Sequence, residues 1–257
     1  MNAVQTIPTT QPPPSQSSQN WTLPTADQPP DDEWLEEICW NRGATSEKER
    51  ILRTTDYQPR TQSYFGSGLV APLELRSLDR WCWWWWDLRN GRWTKRPTRA
   101  GSQEDLDLND PAALVSADAL KNSMESFDDT GFSGFVFQDG DPFVTIDLSD
   151  TLDARTSCFI SEEAREVVSR FATYTELSAT GTGLKLFLRG DLRSIINRGW
   201  ARERNYAVYG CQRFCPMVGR PFERRVDVPD LPIRDAQAEL EWFVKTYLPA
   251  AMPGAAV

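Results

Sequence analysis

The residues best placed to do chemistry lie in Asp141–Asp150, DPFVTIDLSD. Phe143-Val144-Thr145-Ile146 has the β-branched and aromatic content of a short buried strand, and it runs straight into Asp147. A strand that ends on a carboxylate holds the acid rigidly while the following turn leaves it open to solvent. Many metal-dependent nucleotidyl-transfer sites begin this way. Side chains alternate along a strand, so Asp147 and residue 149 share one face and Leu148 takes the other. A metal pair wants carboxylates at both facing positions. Here the second is Ser149, and the next acid, Asp150, points the other way in a regular strand.

A second stretch, Ser178-Ala179-Thr180-Gly181-Thr182-Gly183, sits between two strand patterns. Its small residues and glycines let backbone amides approach an anion, and Ser178, Thr180 and Thr182 add hydroxyl donors. A plain hairpin turn is the default reading of the same letters. In a third stretch, Arg92, Lys95 and Arg96 are interleaved with tryptophans. That combination stacks bases and holds phosphates. Core packing is the competing reading for most of the tryptophans.

The elements that must position these groups follow from pattern and punctuation. Trp81–Trp86 is a strand, Asn90-Gly91 is the strongest short hairpin signal, and Arg92–Lys95 returns as its partner. Four consecutive tryptophans put indoles on both faces, so the strand is expected to be covered on both sides. Asn109 or Asp110 caps a helix that opens with Pro111 and reaches about Phe127. Gly131–Phe137 is a strand that Gln138–Asp141 turns into the Pro142–Leu148 strand. Ser161 caps a helix to Phe171, with Glu162 and Glu163 in its first turn. Tyr174–Leu177 and Leu184–Leu188 flank the glycine loop, and Tyr206–Tyr209 and Arg213–Val218 read as a further strand pair. Asp235–Tyr247 closes as a helix with Leu240, Phe243, Val244 and Tyr247 on one face. Strands and helices alternate while hairpins recur, so the class is α+β with a mixed sheet.

Composition sets the frame. A chain of 257 residues holds one domain of ordinary size plus tails, and 40% hydrophobic residues with 11 Trp furnish its core. No run of 18 apolar residues occurs, so no membrane helix is expected. The N-terminus, MNAVQTIPTTQPPP, lacks the basic and apolar regions of a secretion signal, and a cytoplasmic protein is expected. Five scattered cysteines read as free thiols in a reducing compartment, and with no third sulfur near Cys211 and Cys215 and no His in the chain a structural zinc site is not expected.

The net charge of −9 opposes indiscriminate binding to nucleic acid, but the charge is unevenly spread. Arg80–Arg99 carries six bases against Asp87, and Asp191–Arg225 carries eight Arg against three acids. Between them, Glu104–Glu166 holds sixteen acids and three bases. Local basic strips on an acidic chain suit a protein that holds phosphates at one place; solvated faces of mixed charge are the bland alternative.

Residues 1–30 are Pro, Gln, Ser and Thr with almost no aliphatics, and are expected to be a disordered tail. Residues 31–75 read as a short helix and a linker. Within 31–41, Trp34 and Ile38 fall at i and i+4 behind Asp31-Asp32-Glu33, a pattern for docking a protein partner or for packing on the parent domain. One more helix is expected near Glu47–Arg53. The folded domain spans 76–249, and 250–257 is expected to be a flexible tail.

The order of segments resembles the primase-polymerase branch of the archaeo-eukaryotic primase superfamily, over roughly residues 80–248. The resemblance is carried by GRWTKRP at Gly91–Pro97, NDPAAL at Asn109–Leu114 and GFVFQDGDPFVTIDLSD. It continues through YTELSATGTGLKLF at Tyr174–Phe187, YAVYGCQRFCPMVG at Tyr206–Gly219 and the IRDAQAEL helix. It implies a catalytic core with an RRM-like sheet that adds nucleotides on a template with divalent Mg or Mn. It also implies an Asp-x-Asp pair, in which Asp147 fills the first place and Ser149 the second.

A Ser-Gly-x-Gly-x-His pattern in that family matches Thr180, Gly181, Gly183 and Lys185 here. The family's third acid matches Ala207, followed by Tyr209 and by Arg213-Phe214. Of the family's acids and histidine, Asp147 alone is kept. One carboxylate with a serine would hold Mg²⁺ weakly. Lys185, on the strand face of Gly183, is placed to pair with Asp147 or to hold a phosphate.

Three readings follow. The first is a catalytically degenerate domain that binds nucleotide or single-stranded DNA in the replication of a phage, plasmid or integrated element. The second is an active primase-polymerase that recruits Asp150 or Asp153 to the metal through a bulge. The third is a non-enzymatic interaction scaffold. The chain ends soon after the closing helix, so the helicase module found in longer relatives of this kind is expected to be absent.

Overall fold

The computed structural model describes residues 46–54, 58, 59, 61, 71–125, 131–222 and 232–253. The tail expected at 1–30 and the docking segment at 31–41 lie outside the described residues. The class is α+β, built on two sheets that are almost wholly antiparallel.

The first sheet has the order β2-β1-β3-β9, from β1 (Trp81–Arg89), β2 (Arg92–Thr98), β3 (Phe132–Phe137) and β9 (Arg213–Pro216). Asn90 and Gly91 both take positive φ, the backbone of a tight hairpin turn, and put Arg89 opposite Arg92. β1 is covered on both sides, as its indoles require. Trp81 and Trp83 join a core with Phe135 and Phe137, while Trp84 and Trp86 pack with Val218 and Leu52.

The second sheet has the order β10-β6-β4-β8-β7, with β5 (Thr175–Leu177) also paired to β6. Its strands are β4 (Phe143–Leu148), β6 (Leu184–Arg189), β7 (Trp200–Glu203), β8 (Tyr206–Tyr209) and β10 (Arg234–Asp235). One face of this sheet, Val144, Ile146, Leu148, Leu184, Leu186, Leu188 and Val208, is apolar without a break and packs against two helices. They are α4 (Glu162–Phe171), capped by Ser161, and α5 (Gln237–Tyr247), which bury Val167, Phe171, Leu240, Phe243 and Val244. A sheet with both helices on one face is the layout expected of an RRM-like core. On the other face, Phe143, Tyr174 and Phe187 meet the Trp81 and Phe135 side of the first sheet. The polar residues of β4 and β6 therefore lie on the side turned toward the first sheet.

Three expectations give way to the structure. β3 and β4 do not form a hairpin, because β3 pairs with β1 and β9 while β4 pairs with β6 and β8. The turn between them instead carries the chain from one sheet to the other, and Asp141 closes it by accepting from the Gln138 amide at 2.7 Å. β8 and β9 are divided in the same way. The long helix from Pro111 is also interrupted. Asp110 does cap, accepting from Ala112 N, but only a 3-10 turn follows (Pro111–Ala113). Val115 then exchanges two backbone hydrogen bonds with Trp81, and α3 starts afresh at Ala117 (Ala117–Glu125).

Two short helices precede the sheets. The α1 helix (Glu47–Arg53) falls where a helix was expected, and α2 (Leu73–Arg76) buries Leu75. At the other end, Pro249–Ala251 forms a 3-10 turn, and Ala251 and Met252 pack against the helical core.

Candidate functional site

Strand register places the key residues in one row. Asp147 on β4 lies opposite Lys185 on β6 and Ala207 on β8, and Glu176 on β5 lies opposite Lys185 from the other side. The positions singled out by the family pattern are thus neighbours across the sheet, with Ala207 directly beside Asp147.

The Asp147 carboxylate is enclosed by donors. Lys185 Nζ donates to Oδ2 at 3.2 Å, and the Ser149 hydroxyl donates to Oδ1 at 3.1 Å. Ser149 in turn accepts from Lys48 Nζ at 2.7 Å. Lys185 also donates to the Tyr209 hydroxyl at 2.8 Å, and Tyr209 donates to Cys215 Sγ at 3.4 Å. Burial alone would push the Asp147 carboxyl up. Lys185, Lys48 and Lys95 outweigh it and hold the group well below the usual carboxylate range. Burial would likewise lower Lys185, but Asp147 keeps its ammonium well above its ordinary value. The pair is an ion pair with Lys185 almost fully enclosed.

Around this pair lies a cavity of about 390 Å³, within the roughly 300–1,000 Å³ range of small-molecule sites. Its walls carry six cationic side chains, Lys48, Arg92, Lys95, Lys185, Arg202 and Arg213, against the single carboxylate of Asp147. Trp86, Trp93, Trp200, Tyr209 and Phe214 supply aromatic surface between them. Lys95 lies over the Trp86 ring at 5.0 Å from its centroid, and Arg213 over the 42% exposed Trp200 at 4.5 Å. Lys95 is pushed down to about 7, first by burial and then by Lys185 and Lys48. Lys48 is also lowered by burial, and Arg202 adds to the effect.

Lys48 reaches this place because α1 is anchored by Asp150. Asp150 sits in the left-handed region at φ 50°, which Asp enters more readily than most non-glycine residues. Its carboxylate accepts from the Ser46 hydroxyl and from the Lys48 amide, both at 3.0 Å. The helix is held further by Glu49, which takes Arg92 at 2.7 Å, and by Trp93 Nε1, which donates to the Thr54 carbonyl at 2.7 Å.

Not every singled-out residue joins the cavity. Arg92, Lys95, Lys185 and Arg213 line it together with Asp147 and Ala207, while Ser149 stands behind Asp147. Arg96 is turned to Asp105 at 2.9 Å and lies off the walls. The Ser178–Gly183 loop is a tight turn, with Ser178 N donating to the Gly183 carbonyl. Its hydroxyls bond one another, Thr180 lying 3.2 Å from Ser178 and 2.9 Å from Thr182. Gly183 is needed where it stands, because a Cβ there would overlap the Leu148 carbonyl oxygen and push β6 off β4. Thr180 and Gly181 do not line the cavity either; the loop sets the β4–β6 approach that brings Lys185 to Asp147.

The divalent ions that the family resemblance implies do not fit this donor set. Both Asp147 oxygens are taken by hydrogen-bond donors, and the nearest charged neighbours are ammonium groups. Asp150 uses its oxygens on α1, and Asp153 accepts from Arg155 N, Thr156 N and the Thr156 hydroxyl. Among the described residues, no three His, Cys, Asp or Glu gather as a metal site. Sequence reasoning missed Lys48, Arg202 and Trp200. Lys48 lies about a hundred residues from its partners, whereas the basic Asp191–Arg225 strip already contained both Arg202 and Trp200.

No protein-family model matches the chain. It is similar to a DNA primase-polymerase of Nitratiruptor phage NrS-1, with 30% identity over 163 residues. The match covers 61% of this chain and 22% of that protein, so the chain corresponds to only part of its relative. A distant phage homologue of this kind supports a primase-polymerase type of domain. Among the described residues, no helix is long and apolar enough to cross a membrane.

Proposed function

We propose that this chain is a primase-polymerase-like domain that no longer transfers nucleotides and instead binds nucleotide or single-stranded DNA. Its setting is the cytoplasmic DNA replication of a phage, plasmid or integrated element. The observation that carries this reading is the cavity, with six basic side chains and a carboxylate whose two oxygens are both engaged. Two-metal transfer needs anionic ligands that draw a pair of divalent ions together, whereas these groups draw phosphates. Tryptophan and tyrosine faces beside the cations suit bases of any identity, so binding should be tolerant of sequence.

The test is labelled-deoxynucleotide incorporation on a primed single-stranded template with Mg²⁺ or Mn²⁺, run beside an Asp147→Asn variant. The same protein is titrated with a single-stranded oligonucleotide at several salt concentrations. The reading expects no incorporation above the variant, and binding that weakens steeply with salt. Incorporation by the wild type that the variant loses would sink it in favour of an active polymerase. Failure to bind either nucleotide or single strand would leave the fold as an interaction scaffold.

A further inference from the structure

The cavity holds more positive charge than its own structure uses. Lys185 is spent on Asp147, Lys48 on Ser149, and Arg92 on Glu49. Lys95, Arg202 and Arg213 have no carboxylate within ion-pair distance among the described residues, yet all three line the same space. Like charges gathered this closely repel one another, and Lys95 is held in place by little beyond the Trp86 ring. Such a cluster is stabilised by an anion that none of the described side chains supplies.

The chemistry of that anion follows from how Asp147 is used. In a metal-assisted site, divalent ions bridge protein carboxylates to the phosphates of the ligand, and the protein presents negative charge. Here the only carboxylate on the walls is already bridged, by Lys185 on one oxygen and by Ser149 with Lys48 on the other. One ammonium and one hydroxyl thus engage the two oxygens that a metal would need, and a second ammonium stands behind the hydroxyl.

We propose that the cavity is a divalent-ion-independent polyphosphate site, which takes the unchelated triphosphate of a nucleotide on Lys95, Arg202 and Arg213, with Lys48 and Lys185 adding to the positive field. The inference rests on the nucleotide-binding reading and specifies its ligand. A chelated triphosphate brings a cation into a space already crowded with cations, so magnesium gives binding no help here. A two-metal site would instead require it.

The experiment uses the full chain and its intrinsic fluorescence, since Trp86, Trp93 and Trp200 line the cavity. Inorganic triphosphate and a deoxynucleoside triphosphate are titrated first in a chelator and then in excess Mg²⁺. The expected result is saturable binding in chelator that magnesium leaves unchanged or weakens. Lys95→Ala and Arg213→Ala, which break no ion pair of the fold, should each weaken it by about tenfold, the worth of one charge-assisted hydrogen bond.

Binding that requires magnesium, or tightens in it by more than about threefold, overturns the inference while the nucleotide reading stands. Wild-type affinity in both variants overturns the assignment to this cavity. No binding of either triphosphate in either buffer overturns the inference too, and the oligonucleotide titration then decides whether the broader reading falls with it.

Discussion

The Asp147–Lys185 pair gives the sharpest test of the site as an electrostatic object. Lys185 has 3% of its side chain exposed and Asp147 has 24%, so the pair is largely but not wholly out of water. Removing one partner of a buried ion pair leaves an uncompensated charge and costs about 3–5 kcal/mol. Asp147 is the more exposed partner, which places Asp147→Asn near the lower end, about 3 kcal/mol. After that change Lys185 has only neutral acceptors, the Tyr209 hydroxyl and the new amide oxygen, while Lys48 and Lys95 still repel it.

Taking away the second charge relieves this. Asp147→Asn with Lys185→Met should therefore be more stable than the sum of the single changes by about 2 kcal/mol or more. The assay is urea unfolding followed by tryptophan fluorescence, comparing midpoints at constant slope. The sign with pH also follows. Asp147 is held low, so its contribution is present above its unfolded value of about 3.9 and is lost as pH falls through the folded one. Lys185 is held high, so its contribution is complete below its unfolded value of about 10.4 and is lost as pH rises through the folded one. Neutral pH lies inside both windows. Single and double variants that add to within about 0.5 kcal/mol there would refute the reasoning.

Other outcomes follow from neighbouring groups. Glu176 is fully buried, accepts from the Val218 and Gly219 amides and the Tyr174 hydroxyl, and is pushed up to about 8 chiefly by burial. Its unfolded value is about 4.3, so it takes stability away as pH rises between about 4 and 8. Urea midpoints should show that fall in the wild type and a flatter profile in Glu176→Gln. Lys95 loses its proton near 7, so oligonucleotide affinity should fall as pH rises from about 6 to 8.5, because phosphodiesters do not titrate there. Lys95→Arg should remove most of that dependence in the same titration. Trp200 is exposed beside Arg213, and Trp200→Ala should weaken single-strand binding by about 1–3 kcal/mol, the worth of one stacked base, while Trp200→Phe retains most of it.

What could be read from the sequence was mostly local. The Asn90-Gly91 hairpin, the Asp110 and Ser161 caps and the apolar face of α5 depend on neighbours a few residues away, and they stand in the structure. The Asp147–Lys185 pairing was also within reach, because the family resemblance matches both positions and strand alternation puts Lys185 on the face of Gly183. The Gln138–Asp141 turn misled because a four-residue turn reads alike whether its strands pair or part for different sheets. The stop after Ala113 was hidden for a related reason. The Val115 bridge to Trp81 is a long-range contact that overrides a good helical pattern. Lys48 was illegible for the plainest reason: its partners are Ser149 and Asp147, and nothing near it in the chain marks it as theirs.

The docking of α1 has a thermodynamic consequence. The helix is only seven residues long, too short to persist alone, so it holds its shape by resting on Asp150, Arg92 and Trp93. Lys48 faces the cavity only while the helix rests there. By reciprocity, whatever anion fills the cavity must also fasten the helix, by the same free energy with which the helix tightens the anion. The amides of Glu47–Arg53 are therefore a built-in gauge. Their hydrogen-exchange protection should rise with occupancy of the cavity that Lys48 and Leu52 reach.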